Sequence, residues 1–161
     1  MILIRQLPKD FKKLIAVFTI MMTLGVSLGI LYVQYNTQLT PNGTSEQYGG
    51  SPEDDMGMRE KYPKPYGELL LTSHNHVITF SLIFGVMGVL ALMTNFKWKL
   101  FLAIEPLIST VVTFGSMWLI RYVHPGFAWI MVASGILMYT SFYLVSVLIL
   151  KECFSRGDTT E

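Results

Sequence analysis

Residues Thr72–Phe84 read TSHNHVITFSLIF. Two of the chain's three histidines, His74 and His76, stand at the polar mouth of a segment that stays apolar as far as Met93. Leu69–Met93 is long enough to cross a bilayer, for which about 20 apolar residues suffice. Three further runs meet the same test: Leu14–Tyr35, Leu100–Tyr122 and Phe127–Leu150. The expected fold is therefore all-α, a transmembrane four-helix bundle. The connections after the second and third spans are short, which makes those spans antiparallel neighbours in an up-down order. The expected divisions are a lead over 1–13, helices over 14–35, 68–95, 99–122 and 125–151, a long loop over 36–67 and a tail over 152–161.

Composition agrees. Only 14% of the 161 residues are charged, against about 25% in soluble domains. The net charge of +1 offers nothing to nucleic acid. A single cysteine, Cys153, excludes an internal disulfide framework and a cysteine-rich metal site. The first apolar run lacks a small-residue cleavage site and reads as an uncleaved signal anchor.

Lys and Arg counts set the orientation. Arg5, Lys9, Lys12, Lys13, Lys97, Lys99, Lys151 and Arg156 flank one side of the spans; Arg59, Lys61, Lys64 and Arg121 flank the other, diluted there by loop acids. Both termini are expected in the cytoplasm of a bacterium, with the 36–67 loop outside the inner membrane. That loop, containing PNGTSEQYGGSPEDD, reads as turns. In the first span, Gly25 and Gly29 form a small-xxx-small pair suited to close helix approach, expected to serve packing within the chain. Thr19, Thr23 and Ser27 share one side of the same helix.

Residues two apart on a helix point about 200° apart, so His74 and His76 cannot serve one site from a regular helix. His74 shares its side with Ser81, Gly85 and Gly88; His76 shares its side with Thr72, Thr79 and Ile83 and reads as a bundle contact. In the third span, Glu105 precedes Pro106. If Pro106 opens the helix, Glu105 is a first-turn residue at the headgroup boundary, the favoured expectation. If the helix runs through, Glu105, Ser109, Val112 and Ser116 line one stripe, a path for water or protons.

His74, His76, His124 and Arg121 all fall at the loop end of the bundle. Three readings follow. A haem b needs an imidazole ligand, a slot and a cation for its propionates; His74, the small Ser81–Gly85–Gly88 face and Arg121 supply these, with His124 or no residue as second ligand and His76 in reserve. Copper suits imidazole and thioether, here His74, His76, His124, Met56 and Met58. In the third reading the histidines are interfacial hydrogen-bonding residues, no cofactor is bound, and the chain is an accessory or assembly subunit of a larger membrane complex or a homo-oligomer. The leading expectation is a membrane protein of respiratory electron transfer. No nucleophile-and-base spacing, phosphate-cradling loop or acid pair is present, so no catalytic activity of its own is expected.

Glu68-Leu-Leu-Leu-Thr-Ser-His-Asn-His76, Ile120-Arg-Tyr122, Pro125-Gly-Phe-Ala-Trp129, Ser134-Gly-Ile-Leu-Met138 and Tyr48-Gly-Gly50 resemble a group of small bacterial inner-membrane proteins. Those have four spans and a Thr-x-His-x-His-like opening to the second. The resemblance covers most of the chain after residue 40. It implies the four-span plan, with His74, His76 and the Arg121-Tyr122 pair kept and the position of His124 less fixed, and no particular activity.

Overall fold

A computed structural model describes residues 2–155. After a 3-10 turn at Ile4–Gln6, five α-helices follow: α1 (Lys9–Thr37), α2 (Pro41–Gly49), α3 (Tyr66–Leu92), α4 (Lys99–Tyr122) and α5 (Ala128–Phe154), with a second 3-10 turn at Pro125–Phe127 leading into α5. Four of them, α1, α3, α4 and α5, are long and apolar enough to cross a membrane. The fold is all-α, as expected. Among the described residues, extended pairing is limited to one isolated bridge, Glu53 to Arg59.

The helices outrun the apolar segments. Helix α1 starts five residues before Leu14, after Pro8, and α5 runs on to Phe154. Hydropathy marks the part that lipid can surround. Backbone hydrogen bonding continues into the polar flanks, where water satisfies the side chains.

The helices are not equal partners. In the most apolar window of α4, 56% of residues are buried, against 17% for α1, so α4 is central and α1 peripheral. Helix α4 packs chiefly on α5 and α3, and α1 lies along α5. On α3, Gly88 lets the α4 backbone come close: a Cβ there would lie 3.1 Å from Ala103 O. Phe84, Met87, Ala91, Leu102, Ala103, Met138, Phe142, Val145 and Ile149 form most of the main core, joined by Ala16 and Val26 of α1, Ile4 and Cys153. Close approach and packing are what hold helices together in lipid, where apolar burial gives no advantage.

The threonine side of α1 faces α5. Thr19, Thr23 and Ser27 each donate to the carbonyl four residues back, and Ser27 Oγ lies 2.7 Å from Tyr143 Oη. Gly25 and Gly29 do not serve packing within the chain: a Cβ on either would meet nothing within 4 Å. The residues that carry the hydrogen-bonded contact occupy the opposite side, so the glycines are left facing outward.

The first and last described residues lie at one end. There, Ile4 N donates to Met93 O, Asn95 N donates to Glu152 Oε1 at 2.9 Å, and Lys12 Nζ donates to Ser155 O. At the other end the 36–67 segment is more ordered than its composition suggests. Residues 41–49, expected as turns, form α2. Thr40 caps it by accepting from Gly43 N at 3.0 Å, and Pro41 occupies the first turn. Gly43 is required, because a Cβ would run into Thr37 O. The rest of the loop is pinned by Ser51 and Lys61, by the Arg59–Glu53 ion pair, and by Asp54 Oδ1, which accepts from Met56 N and Met58 N.

Candidate functional site

At the α2 end, α3 and α4 meet through aromatic and polar side chains. Trp118 Nε1 donates to Ser73 Oγ at 2.8 Å, and Ser73 in turn donates to Leu69 O. Tyr66 meets the Trp118 ring edge-on, and Tyr122 stacks on it. Arg121 Nε donates to Lys64 O at 3.0 Å, with its guanidinium over the Tyr122 ring. Below this layer Leu69, Phe114 and Met117 are buried together, with Tyr48 of α2 against them.

The three imidazoles occupy separate settings. His76 faces α4, its ring 5.1 Å from Phe114 and 5.7 Å from Phe80. Its Nδ1 lies 2.8 Å from Thr72 O. Since the carbonyl only accepts, Nδ1 carries the proton, and Nε2 is left as the acceptor. The residue touches α4 through Phe114 but stays exposed. His124 precedes the second 3-10 turn and caps it: its Nδ1 accepts from Gly126 N at 2.9 Å. In a neutral ring the proton then sits on Nε2, so ligation would cost His124 either its cap or its tautomer. His74 is exposed and has no hydrogen bond among the described residues. It shares α3 with His76, a regular helix through both positions, so the two rings diverge.

Met56 and Met58 are exposed in the loop, and the nearby Asp54 carboxylate is occupied by their own backbone amides. Among the described residues, no group of three or more His, Cys, Asp and Glu is gathered as a metal site. Burial pushes the Tyr48 phenol up to about 12, with Tyr139 and Tyr32 adding to the shift.

A second polar region lies nearer the terminal end. Helix α4 runs straight through Pro106, so the expectation that Pro106 opens the helix is corrected: α4 starts at Lys99, and Glu105 sits in its second turn. Proline is tolerated in membrane helices where neighbours satisfy the freed backbone. The carbonyl freed here is that of Leu102, four residues back; separately, Thr110 Oγ1 donates to Pro106 O at 2.7 Å and contacts Met138 Sδ. Glu105 is only 6% exposed. Its Oε1 accepts from Ser109 Oγ, while its Oε2 is buried without a partner. Further along the same helix, Thr113 Oγ1 and Ser134 Oγ of α5 lie 2.8 Å apart. Glu105, Ser109 and Ser116 are buried, but Val112 is exposed, so the stripe is not enclosed along its length.

Sequence reasoning singled out Glu105 and the histidines. It passed over Trp118, Ser73 and Tyr48, whose roles depend on contacts 45 residues apart, as between Ser73 and Trp118. Only the aromatic density of the α3 and α4 ends hinted at such a layer.

Four apolar helices packed through small residues and buried hydroxyls define a multi-pass membrane protein. Residues 38–160 match a family described as a transmembrane helical domain, and the chain belongs to that family. No curated protein and no solved structure matches it.

Proposed function

We propose that this chain is a non-catalytic accessory or assembly subunit of a larger membrane complex, seated in a bacterial inner membrane with both termini in the cytoplasm. The observation that carries the reading is the outward side of α3. His74, Asn75 and Ser81 are exposed there, within a span that is long and apolar enough to cross a membrane. Beside them Gly85 borders open space, where a Cβ would meet nothing within 4 Å. Polar groups turned toward hydrocarbon are costly, and are ordinarily turned to a protein partner. Another subunit's helix laid along this side would cover the amide, the hydroxyl and the imidazole together.

The test is extraction from native membranes in a mild detergent, with a photo-crosslinking residue at Ser81. Crosslinking to one defined larger protein, lost in Gly85→Leu, is the expected result. Adducts to lipid alone, with the protein migrating as a monomer, would refute it.

A role beside respiratory electron transfer, with haem b at the same place, is the second reading. His74 favours it, as the one imidazole without a hydrogen bond among the described residues. A haem held there would lie against Ser81 and Gly85, sandwiched between this chain and its partner, which would supply any second ligand. A visible spectrum of the detergent-extracted complex decides it: a Soret band that His74→Ala removes supports the haem, and no Soret absorbance from haem-replete cells rejects it.

A further inference from the structure

We propose that a groove beside Glu105 binds a membrane-dissolved isoprenoid quinone, one of whose ring oxygens meets the Glu105 carboxyl. The groove has a volume of about 470 Å³. Phe101, Ile104 and Ile108 of α4 and Leu137 of α5 line it, and Glu105 and Ser109 are its polar members. It lies far from His74, at the half of the bundle that holds the termini, and stands independently of the accessory-subunit reading.

Three features select the ligand class. First, the groove opens sideways. Ile104 is 45% and Ile108 60% exposed, on a helix that crosses the membrane, so what enters must come from the lipid phase. Second, its walls are aliphatic and aromatic, suited to a flat ring with a prenyl tail. Third, its polar chemistry is one-sided. Ser109 is committed to Glu105 Oε1, and Oε2 lacks a partner although the residue is more than nine-tenths buried; that oxygen lies closed beneath the groove's apolar wall, and a turn of the Glu105 side chain is needed to present it. A lone unsatisfied oxygen in hydrocarbon carries a penalty that a single hydrogen bond removes.

A metal cation would need several oxygen ligands, and no second acid lines the groove. A phosphate headgroup belongs at the membrane surface, and no cation lines the groove to hold it. Glu105 lies about 9 Å along α4 from Lys99, at 1.5 Å per residue. A neutral carbonyl compound meets every requirement when Glu105 is the uncharged acid. Its O–H donates to the quinone oxygen, while Ser109 continues to donate to the other carboxyl oxygen.

Dicyclohexylcarbodiimide, which reaches carboxylic acids from lipid, provides the test. One carbodiimide nitrogen takes the carboxyl proton and the carboxyl oxygen adds to the central carbon. The adduct rearranges to an N-acylurea, and no group leaves. Full-length protein in phosphatidylcholine nanodiscs should be modified at Glu105, mapped by peptide mass spectrometry, in preference to the exposed acids. Decylubiquinone should slow that modification by about tenfold, the order of one buried hydrogen bond with its packing. Dioctanoylglycerol, a neutral lipid with ester carbonyls, should not.

Direct decylubiquinone binding should weaken by about tenfold in Glu105→Leu and comparably in Ile108→Trp. The latter fills the groove from an exposed position and leaves the core untouched. Modification unaffected by decylubiquinone, equal protection by dioctanoylglycerol, or unchanged binding in Ile108→Trp would each overturn the assignment.

Discussion

Gly85 and Gly88 stand one turn apart on α3, and alanine should act oppositely at the two. At Gly88 an added Cβ would lie 3.1 Å from Ala103 O, 3.4 Å from Ala103 Cβ and 3.5 Å from Ala103 Cα. The first of these atoms is backbone on a helix packed from both sides, so α3 and α4 must separate by a few tenths of an ångström. Overpacking of this kind costs about 1–3 kcal/mol, offset by about 1 kcal/mol of helix propensity gained on leaving glycine. Gly88→Ala should therefore destabilise by up to about 2 kcal/mol on the same two terms, and Gly88→Leu by more. At Gly85 nothing lies within 4 Å. Only the propensity term remains, and Gly85→Ala should be neutral or stabilising by up to about 1 kcal/mol in the isolated protein. Titration of dodecyl maltoside micelles with SDS, followed by the fluorescence of Trp118 at the α3–α4 contact, measures both. Equal shifts for the two variants would show that α3 and α4 do not approach at Gly88, and the packing argument would fail with them.

Other expectations follow from single contacts. Ser73→Ala removes the bond that Trp118 Nε1 donates and should cost about 0.5–1.5 kcal/mol in the same titration. A double-mutant cycle on Thr113→Val and Ser134→Ala should return a coupling of about 0.6 kcal/mol, the usual worth of an interhelical hydroxyl pair in membranes. Gly43→Ala should unseat α2, because the new methyl meets Thr37 O, and limited proteolysis between residues 38 and 65 should accelerate. The Tyr48 phenol, moved from 10.0 to about 12 chiefly by burial, favours the neutral form in the folded state. Its contribution is thus whole below about pH 10 and is lost as pH rises toward about 12. Tyr48→Phe should flatten that alkaline loss, and its tyrosinate absorbance step should vanish from the top of the titration.

The spans were legible because twenty apolar residues have few other destinations. Helix ends were not, since the helical backbone continues through polar flanks such as Lys9–Lys13 and Lys151–Phe154, where hydropathy has already fallen. Helix α2 escaped for a related reason: its nine residues include no apolar period, and only Thr40-Pro41 marks its start. Opposed placement of His74 and His76 followed from the helical rotation alone. Whether other chain elements would meet those rings did not, because it depends on the packing of α3 against α4. Glu105 shows the same divide. Its presence in an apolar run flagged it, but a proline at the next position can start a helix or sit within one, and the local sequence does not decide between them.

The peripheral place of α1 leads to a last prediction. The family match begins at residue 38, directly after α1 ends at Thr37, and α1 leans on α5 while the central contacts join α3, α4 and α5. Removing residues 1–37 should therefore leave the α3–α4 layer intact, including the Trp118–Ser73 bond. It should instead disturb orientation. The lost segment carries Arg5, Lys9, Lys12 and Lys13, half of the eight basic residues on the terminal side. The remainder, Lys97, Lys99, Lys151 and Arg156, only equals Arg59, Lys61, Lys64 and Arg121 on the other side. With the bias gone, the rule that retains positive loops in the cytoplasm no longer selects one topology. Paired phosphatase and fluorescent-protein fusions at the C-terminus should report one orientation for the full chain and a mixture for the truncated one. Restoring four lysines ahead of residue 38 should not repair it, because α3 would then be drawn to start from the cytoplasm and the whole bundle would invert. A truncated chain that keeps a single orientation, with its C-terminus in the cytoplasm, would show that α1 does not set the topology.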